Sequence, residues 1–202
     1  IGLCAASAYR DGLIRNFDDL VGDYDSLTEF SSDHNNAITW RHLLQQTSEW
    51  EGTLWSKPDQ VDRNRQVGPD ANHSQKGQPR QLMEPGGYWE YNDVRVNLVA
   101  LCLTRLFETS LSDVLRKNIM DPIDASHSWE WHGYRNSYIE IKGRLVQSVS
   151  GGAHWGGGLW ISSVDHARMD LLISRHGRWG DVEILPEHCL GPLFAPCPLN
   201  LN

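Results

Sequence analysis

The stretch that decides the fold is "PGGYWEYNDVRVNLVALCLTRLFETSLSDVLRKNIMDPI", residues 85–123. A Pro-Gly-Gly turn runs into Trp89, Glu90, Tyr91, Asn92 and Asp93, which crowd aromatic and polar side chains against an apolar run. The spacing predicts a helix from about Val94 to Phe107, capped by Asp93 or Asn92. It is apolar nearly all round, so it belongs at the centre of the structure. A second helix follows. Ser110 with Asp113 resembles a capping box, Leu111, Val114, Leu115 and Ile119 share one face, and Asp121-Pro122 ends it.

Upstream, residues 1–10 are small and apolar and read as a helix stopped at Gly12. "ITWRHLLQQTSEW", residues 38–50, gives a short helix capped by Thr39, with Glu49 and Glu51 solvated. From Ser56 to Pro85 the chain turns polar, with Pro58, Pro69, Pro79 and several glycines, so 56–85 is expected to be a long irregular loop. Downstream, "YIEIKGRLVQSV" alternates about Lys142-Gly143 as a hairpin does. "SGGAHWGGGLWISS" is a glycine-rich turn entering a short strand. Ser163 is then expected to cap a helix with Val164, Ala167, Leu171 and Leu172 inward and Gly177 as its stop. Pro186 opens a last helical turn, and the tail from Gly191 has no regular pattern. The expectation is one domain over 1–202, α+β and mainly helical.

Composition narrows the function. Eighteen Lys and Arg against 26 Asp and Glu give a net charge of -8, with no basic run, which excludes a nucleic-acid partner. The longest apolar run, Leu98 to Leu103, is far short of the ~20 residues that span a bilayer. No Cys-x-x-Cys is present. Cys4 and Cys102 read as small buried hydrophobes, and Cys189 with Cys197 is a candidate disulfide. Among nine histidines there is no His-Glu-x-x-His, and His127, His132, His154 and His166 match no common ligand spacing. No metal and no cofactor are expected.

Three blocks, in order, resemble the serine β-lactamase-related hydrolases, a family spanning class C β-lactamases, D-alanyl-D-alanine carboxypeptidases, esterases and aminohexanoate-dimer hydrolases. Residues 38–50 are similar to "ITIRHLLTHTSGL", with Gln46 where His is usual and Glu49 where Gly is usual. Residues 85–123 are similar to "PGTxFxYSNxGYxLLGxIIExVTGxSxxDYLxxxIFxPLG", and residues 157–173 to "GGLxSTAxDLARFxxLL". The resemblance implies a β-lactamase/transpeptidase-like fold. It also implies that Tyr91, in Tyr91-Asn92-Asp93, takes the place of the tyrosine that shuttles a proton beside the serine nucleophile and lysine. Asp93 stands where the family carries Asn, and an ionised carboxylate accepts hydrogen bonds but donates none. A phenol titrates near about 10, so it serves as a base only where a nearby cation favours the phenolate. The dull reading of Asp93 is a helix cap.

The family's Ser-x-x-Lys is absent. Three residues before Lys57, Lys76, Lys117 and Lys142 stand Leu54, His73, Val114 and Ile139. The third motif, Lys-Thr-Gly or a variant, is also absent. The resemblance places these motifs just before Ile1 and beyond Asn202. That implies the middle of a hydrolase, largely its helical lobe with most of the central antiparallel sheet missing, and inactive as written. The expected substrate is a small-molecule amide or ester. His154 and Trp155, in "GGAHWGGG", are expected to contact it, since glycines there let backbone approach a ligand. Trp131 is expected to line the cleft with Trp129 and Tyr134, core packing being the alternative. Two rival readings stand beside the hydrolase: a non-catalytic protein whose aromatic cleft holds a peptide or glycan, and a lobe that pairs with a second chain bearing the nucleophile. Cytoplasmic and periplasmic compartments are both open.

Overall fold

The computed structural model describes residues 1–24, 27–152 and 157–200. The helices are α1 (Gly2–Arg10), α2 (Trp40–Leu44), α3 (Asp93–Phe107), α4 (Leu111–Leu115), α5 (Ser163–Ser174) and α6 (Glu187–Phe194). The strands are β1 (Thr53–Leu54), β2 (Lys57–Pro58), β3 (Glu130–Ile141), β4 (Arg144–Val149), β5 (Gly158–Trp160), β6 (Arg178–Trp179) and β7 (Val182–Glu183). The fold is α+β and mainly helical. Its largest sheet among the described residues has three strands, ordered β4-β3-β5. Two compact units are present: Ile1–Arg15 with Ala100–Ala195, and Asn16–Val99 with Pro196–Asn202.

In the first unit, α1 packs against α6 and α4. It can approach closely because Ala5, Ala6 and Ala8 on its buried face are small. The β3–β4 hairpin turns at Lys142-Gly143, and both residues have positive φ, 50° and 76°. That is the two-residue turn whose twist matches antiparallel strands. Between Gly133 and Tyr138 the β3–β4 register shifts. Ser137 Oγ pins the irregularity by accepting the Tyr134 N–H and donating its one proton to the Ser148 carbonyl at 2.7 Å, with the Tyr134 carbonyl a second acceptor within reach at 3.0 Å. Gly133 is required there: a Cβ would stand 2.2 Å from the Ser148 carbonyl oxygen. Ser110 caps α4 by accepting the Asp113 N–H, and Leu111, Val114, Leu115 and Ile119 are all buried, as the spacing predicts.

Other expectations for this unit are corrected. Ser162, not Ser163, caps α5, its hydroxyl accepting the Asp165 N–H. Val164, Ala167 and Leu171 are exposed, and of the four residues expected inward only Leu172 is buried. The polar Asp165 is buried instead. It accepts hydrogen bonds from Ser126 N–H and Oγ, from Ser162 Oγ and from Arg168. Those bonds, Ser126 foremost, hold its carboxyl well below the usual range. The helix α6 continues through Pro192 to Phe194, where no regular pattern was read. Cys189 and Cys197 are both free thiols, so that candidate disulfide is not formed.

In the second unit, Thr39 caps α2 as predicted and forms a reciprocal box with His42. Residues 56–85 hold only β2 and one 3-10 turn, Asp59–Asp62. They are pinned by side chains rather than by a backbone ladder. The ion pairs Arg63–Asp59, Arg65–Asp62, Lys76–Asp62 and Arg80–Glu49 all tie this segment down.

Candidate active site

Tyr91 is placed by the chain on both sides of it. The segment before it lies along Gln46-Thr47: Gly86 N–H donates to the Thr47 carbonyl at 2.8 Å and Glu90 N–H to the Gln46 carbonyl at 3.1 Å. Gly86 has φ 87°, and a Cβ there would meet His42 Nε2 at 2.8 Å, so this turn needs glycine for its conformation and its closeness. After Tyr91 the chain enters α3. The cap is Asn92, not Asp93. Its Oδ1 accepts the N–H groups of Val94 and Arg95, and its amide donates to the Asp59 carbonyl at 2.9 Å.

Asp93 is the first residue of α3 and is buried. Its backbone N–H donates to Asp62 Oδ2 at 2.7 Å. Its carboxylate accepts from the Tyr91 hydroxyl at 3.4 Å and from the Asn97 amide at 3.3 Å. Tyr91 is half-buried. Burial, followed by the Asp93 charge, pushes its phenol up, while Arg65 works the other way. The neutral phenol is therefore a hydrogen-bond donor to Asp93. To act as a base it needs more positive charge than this segment supplies.

Beneath this pair lies a buried ion cluster that single-residue reading missed. Glu49, expected to be solvated, is fully buried. It accepts from Arg80 at 2.5 and 2.6 Å, from Arg95 at 2.8 Å and from the Met83 N–H at 3.0 Å. Burial alone would raise its pKa. The Arg80 hydrogen bonds, the Met83 amide and the Arg95 charge outweigh it and bring it down to about 2. Its backbone is left-handed, φ 49°, a conformation costly to any residue but glycine. Glycine, which the resembled block carries at this position, would meet no such cost, and here Arg80 and Arg95 hold the carboxylate of a residue that does. Glu90 pairs with Arg80 at 2.8 Å and accepts the Asn64 N–H at 2.6 Å. Asp59 pairs with Arg63 at 2.8 Å and Arg95 at 3.2 Å. The carboxylates of Glu49, Asp59, Asp62, Glu90 and Asp93 are balanced in number by Arg63, Arg65, Lys76, Arg80 and Arg95. Pairing of this kind is what makes so much buried charge tolerable.

Trp131 lies in the other unit, on β3. It is buried, and its indole N–H donates to the Ser150 carbonyl at 2.7 Å. Trp129 and Tyr134 are buried as well, the Tyr134 hydroxyl accepting from Ser150 Oγ at 2.8 Å. These three rings pack in the interior, and Trp131 and Tyr134 anchor Ser150. His154 and Trp155 lie outside the described residues. Among the described residues no group of three or more His, Cys, Asp or Glu is disposed to hold a metal ion. Nor is any helix among them long and apolar enough to cross a membrane.

The beta-lactamase family model matches residues 1–155, and the chain belongs to that family. The third resembled block, 157–173, lies beyond the match. Among solved structures, the chain is similar to a penicillin-binding protein from Bacillus halodurans, at 17% identity and TM-score 0.56, over 94% of this chain and 58% of that one. It is similar to the octameric penicillin-binding protein homologue from Pyrococcus abyssi, at 19% identity and TM-score 0.56, over 94% of this chain and 45% of that one. It is also similar to EstCE1, a hydrolase with promiscuous acyltransferase activity, at 14% identity and TM-score 0.55, over 94% and 58%. The chain thus spans about half the length of these proteins. No curated protein sequence matches it.

Proposed function

We propose that this chain supplies the tyrosine of a serine hydrolase that cleaves an amide or ester through an acyl-enzyme. The observation that carries the reading is Tyr91-Asn92-Asp93, with the hydroxyl 3.4 Å from a buried carboxylate at the capped start of α3, inside a stretch that matches the beta-lactamase family. In this reading the nucleophilic serine and its lysine lie outside the 202 residues, and the chain alone turns nothing over. The lysine is the missing charge. Placed against Asp93 it would form an ion pair and draw the phenol down toward neutrality. Tyr91 then takes the serine proton during attack and returns it to the leaving group. A well-placed proton carrier contributes about 10²- to 10⁴-fold in rate. The glycines of 151–158 support His154 and Trp155 as substrate contacts.

The test is to express the chain with its flanking sequence and treat it with a fluorescent penicillin and a chromogenic ester. The reading expects a covalent adduct on a serine preceding Ile1, with ester turnover. Flanking sequence that carries no Ser-x-x-Lys, with no adduct formed, overturns it in favour of a binding protein.

A further inference from the structure

The loop between β2 and Tyr91 does more than connect. It reaches the Tyr91 segment twice, each time with an arginine laid on a tyrosine face: Arg65 stands 4.7 Å from the Tyr91 ring centroid and Arg80 stands 4.5 Å from that of Tyr88. Both arginines are fixed from behind. Arg80 is held by Glu49 and Glu90. Arg65 is held by Asp62 at 2.9 Å, and Asp62 is itself held by Lys76 at 2.8 Å and by the Asp93 N–H at 2.7 Å. The contacts close a circuit: Tyr91 hydroxyl to Asp93, Asp93 backbone to Asp62, Asp62 to Arg65, and Arg65 over the Tyr91 ring.

We propose that Arg65 is a positioning residue for Tyr91: the Asp62–Lys76 clamp seats its guanidinium on the phenol face, where it orients the ring and offsets the negative charge of Asp93 and Asp62. The proposal rests on the reading of Tyr91 as the proton carrier, and it names a cation for that site that this chain itself provides. A planar guanidinium suits the place because it can stack on an aromatic face while its edge stays bonded to a carboxylate. The charged groups acting on Tyr91 are Asp93 from α3, Asp62 from the 3-10 turn and Arg65 from the loop. Arg65 alone of these favours the phenolate. Withdrawing the Arg65 side chain would leave the phenol facing Asp93 and Asp62 with no cation from this segment.

Titration of Tyr91 by NMR, with ring-labelled tyrosine and assignment through Tyr91→Phe, tests this on the 202-residue chain and needs no turnover. Arg65→Gln is expected to raise the Tyr91 midpoint by roughly half a pH unit to one unit, the size of a single charge at that distance under strong screening. Arg65→Lys, which keeps the charge, is expected to recover part of the shift. An unchanged midpoint in Arg65→Gln overturns the proposal. If that variant fails to fold, the unmutated protein still decides. The Arg65 side-chain protons should carry the upfield ring-current shift of a group over an aromatic face, and its absence overturns the proposal equally. The outcome is separable from the relay itself. Full turnover by Tyr91→Phe in the extended hydrolase would remove the relay and leave the Arg65 coupling intact. An indifferent midpoint would do the reverse.

Discussion

The stretch from Gln46 to Asn97 and the stretch from Ala100 to Ala195 each contain a buried interior, yet different forces hold them. The first is organised by charge: Glu49, Asp59, Asp62, Glu90 and Arg95 are all buried and paired. The second is organised by apolar packing and strand pairing, with Leu111, Ile119, Ile123 and Leu190 buried and the β3–β4 hairpin alongside, Asp165 being its buried carboxylate. One helix shows both regimes. The opening of α3 buries Asp93, Arg95 and Asn97, and its later turns bury Leu98 to Leu103. The first region suits the proton carrier proposed for it. Apolar packing tolerates small slips, whereas a buried ion pair has few acceptable geometries, and a wrong one leaves an unpaired charge. Charge is a poor source of net stability and a good source of position.

Breaking the charge-held region should cost most. Glu49→Ala leaves Arg80 with Glu90 and Arg95 with Asp59 but the buried cluster one carboxylate short, and is expected to destabilise the chain by about 3–5 kcal/mol as measured by urea unfolding, alanine bearing the same left-handed backbone cost. In the apolar-held region, Leu101→Ala removes a buried side chain and is expected to cost about 2–5 kcal/mol by the same measurement. Acid should separate the regions. Glu49 is held below its unfolded value of 4.5, at about 2, so its contribution is complete above pH 4.5 and is lost as pH falls from there toward 2. Hydrogen exchange over that window should show residues 46–95 losing protection before the β3–β4 hairpin does. The reverse order would contradict the comparison. Smallest, Asn92→Ala removes the α3 cap and should cost about 1 kcal/mol, with some loss of Tyr91 order because the Asn92–Asp59 bond goes with it.

Much of the apolar-held region was legible because its signals are local. The α4 face, the Lys142-Gly143 turn and the α3 run follow from spacing and turn chemistry alone. The errors are instructive. The α5 cap read one residue late, Ser163 for Ser162, and the α3 cap left open between Asp93 and Asn92 both reflect adjacent residues that cap equally well in isolation. The face of α5 was read correctly as apolar and wrongly as buried, since periodicity locates a face without saying what lies on it. Glu49 was read as solvated because its partners stand 31 and 46 residues away. The one available signal was a Glu in a position where the resembled block has Gly. Tyr91 is singled out by its motif, and its surroundings are not, because Asp62, Arg65 and Lys76 sit in a loop whose composition reads only as irregular.

The most direct test of the account is the turnover rate of Tyr91→Phe in the chain carrying its flanking sequence, measured on a chromogenic ester with the acylation step resolved. Loss of the hydroxyl should slow acylation by about 10²- to 10⁴-fold while leaving unfolding stability within about 1 kcal/mol. Acylation at the unmutated rate would contradict the account.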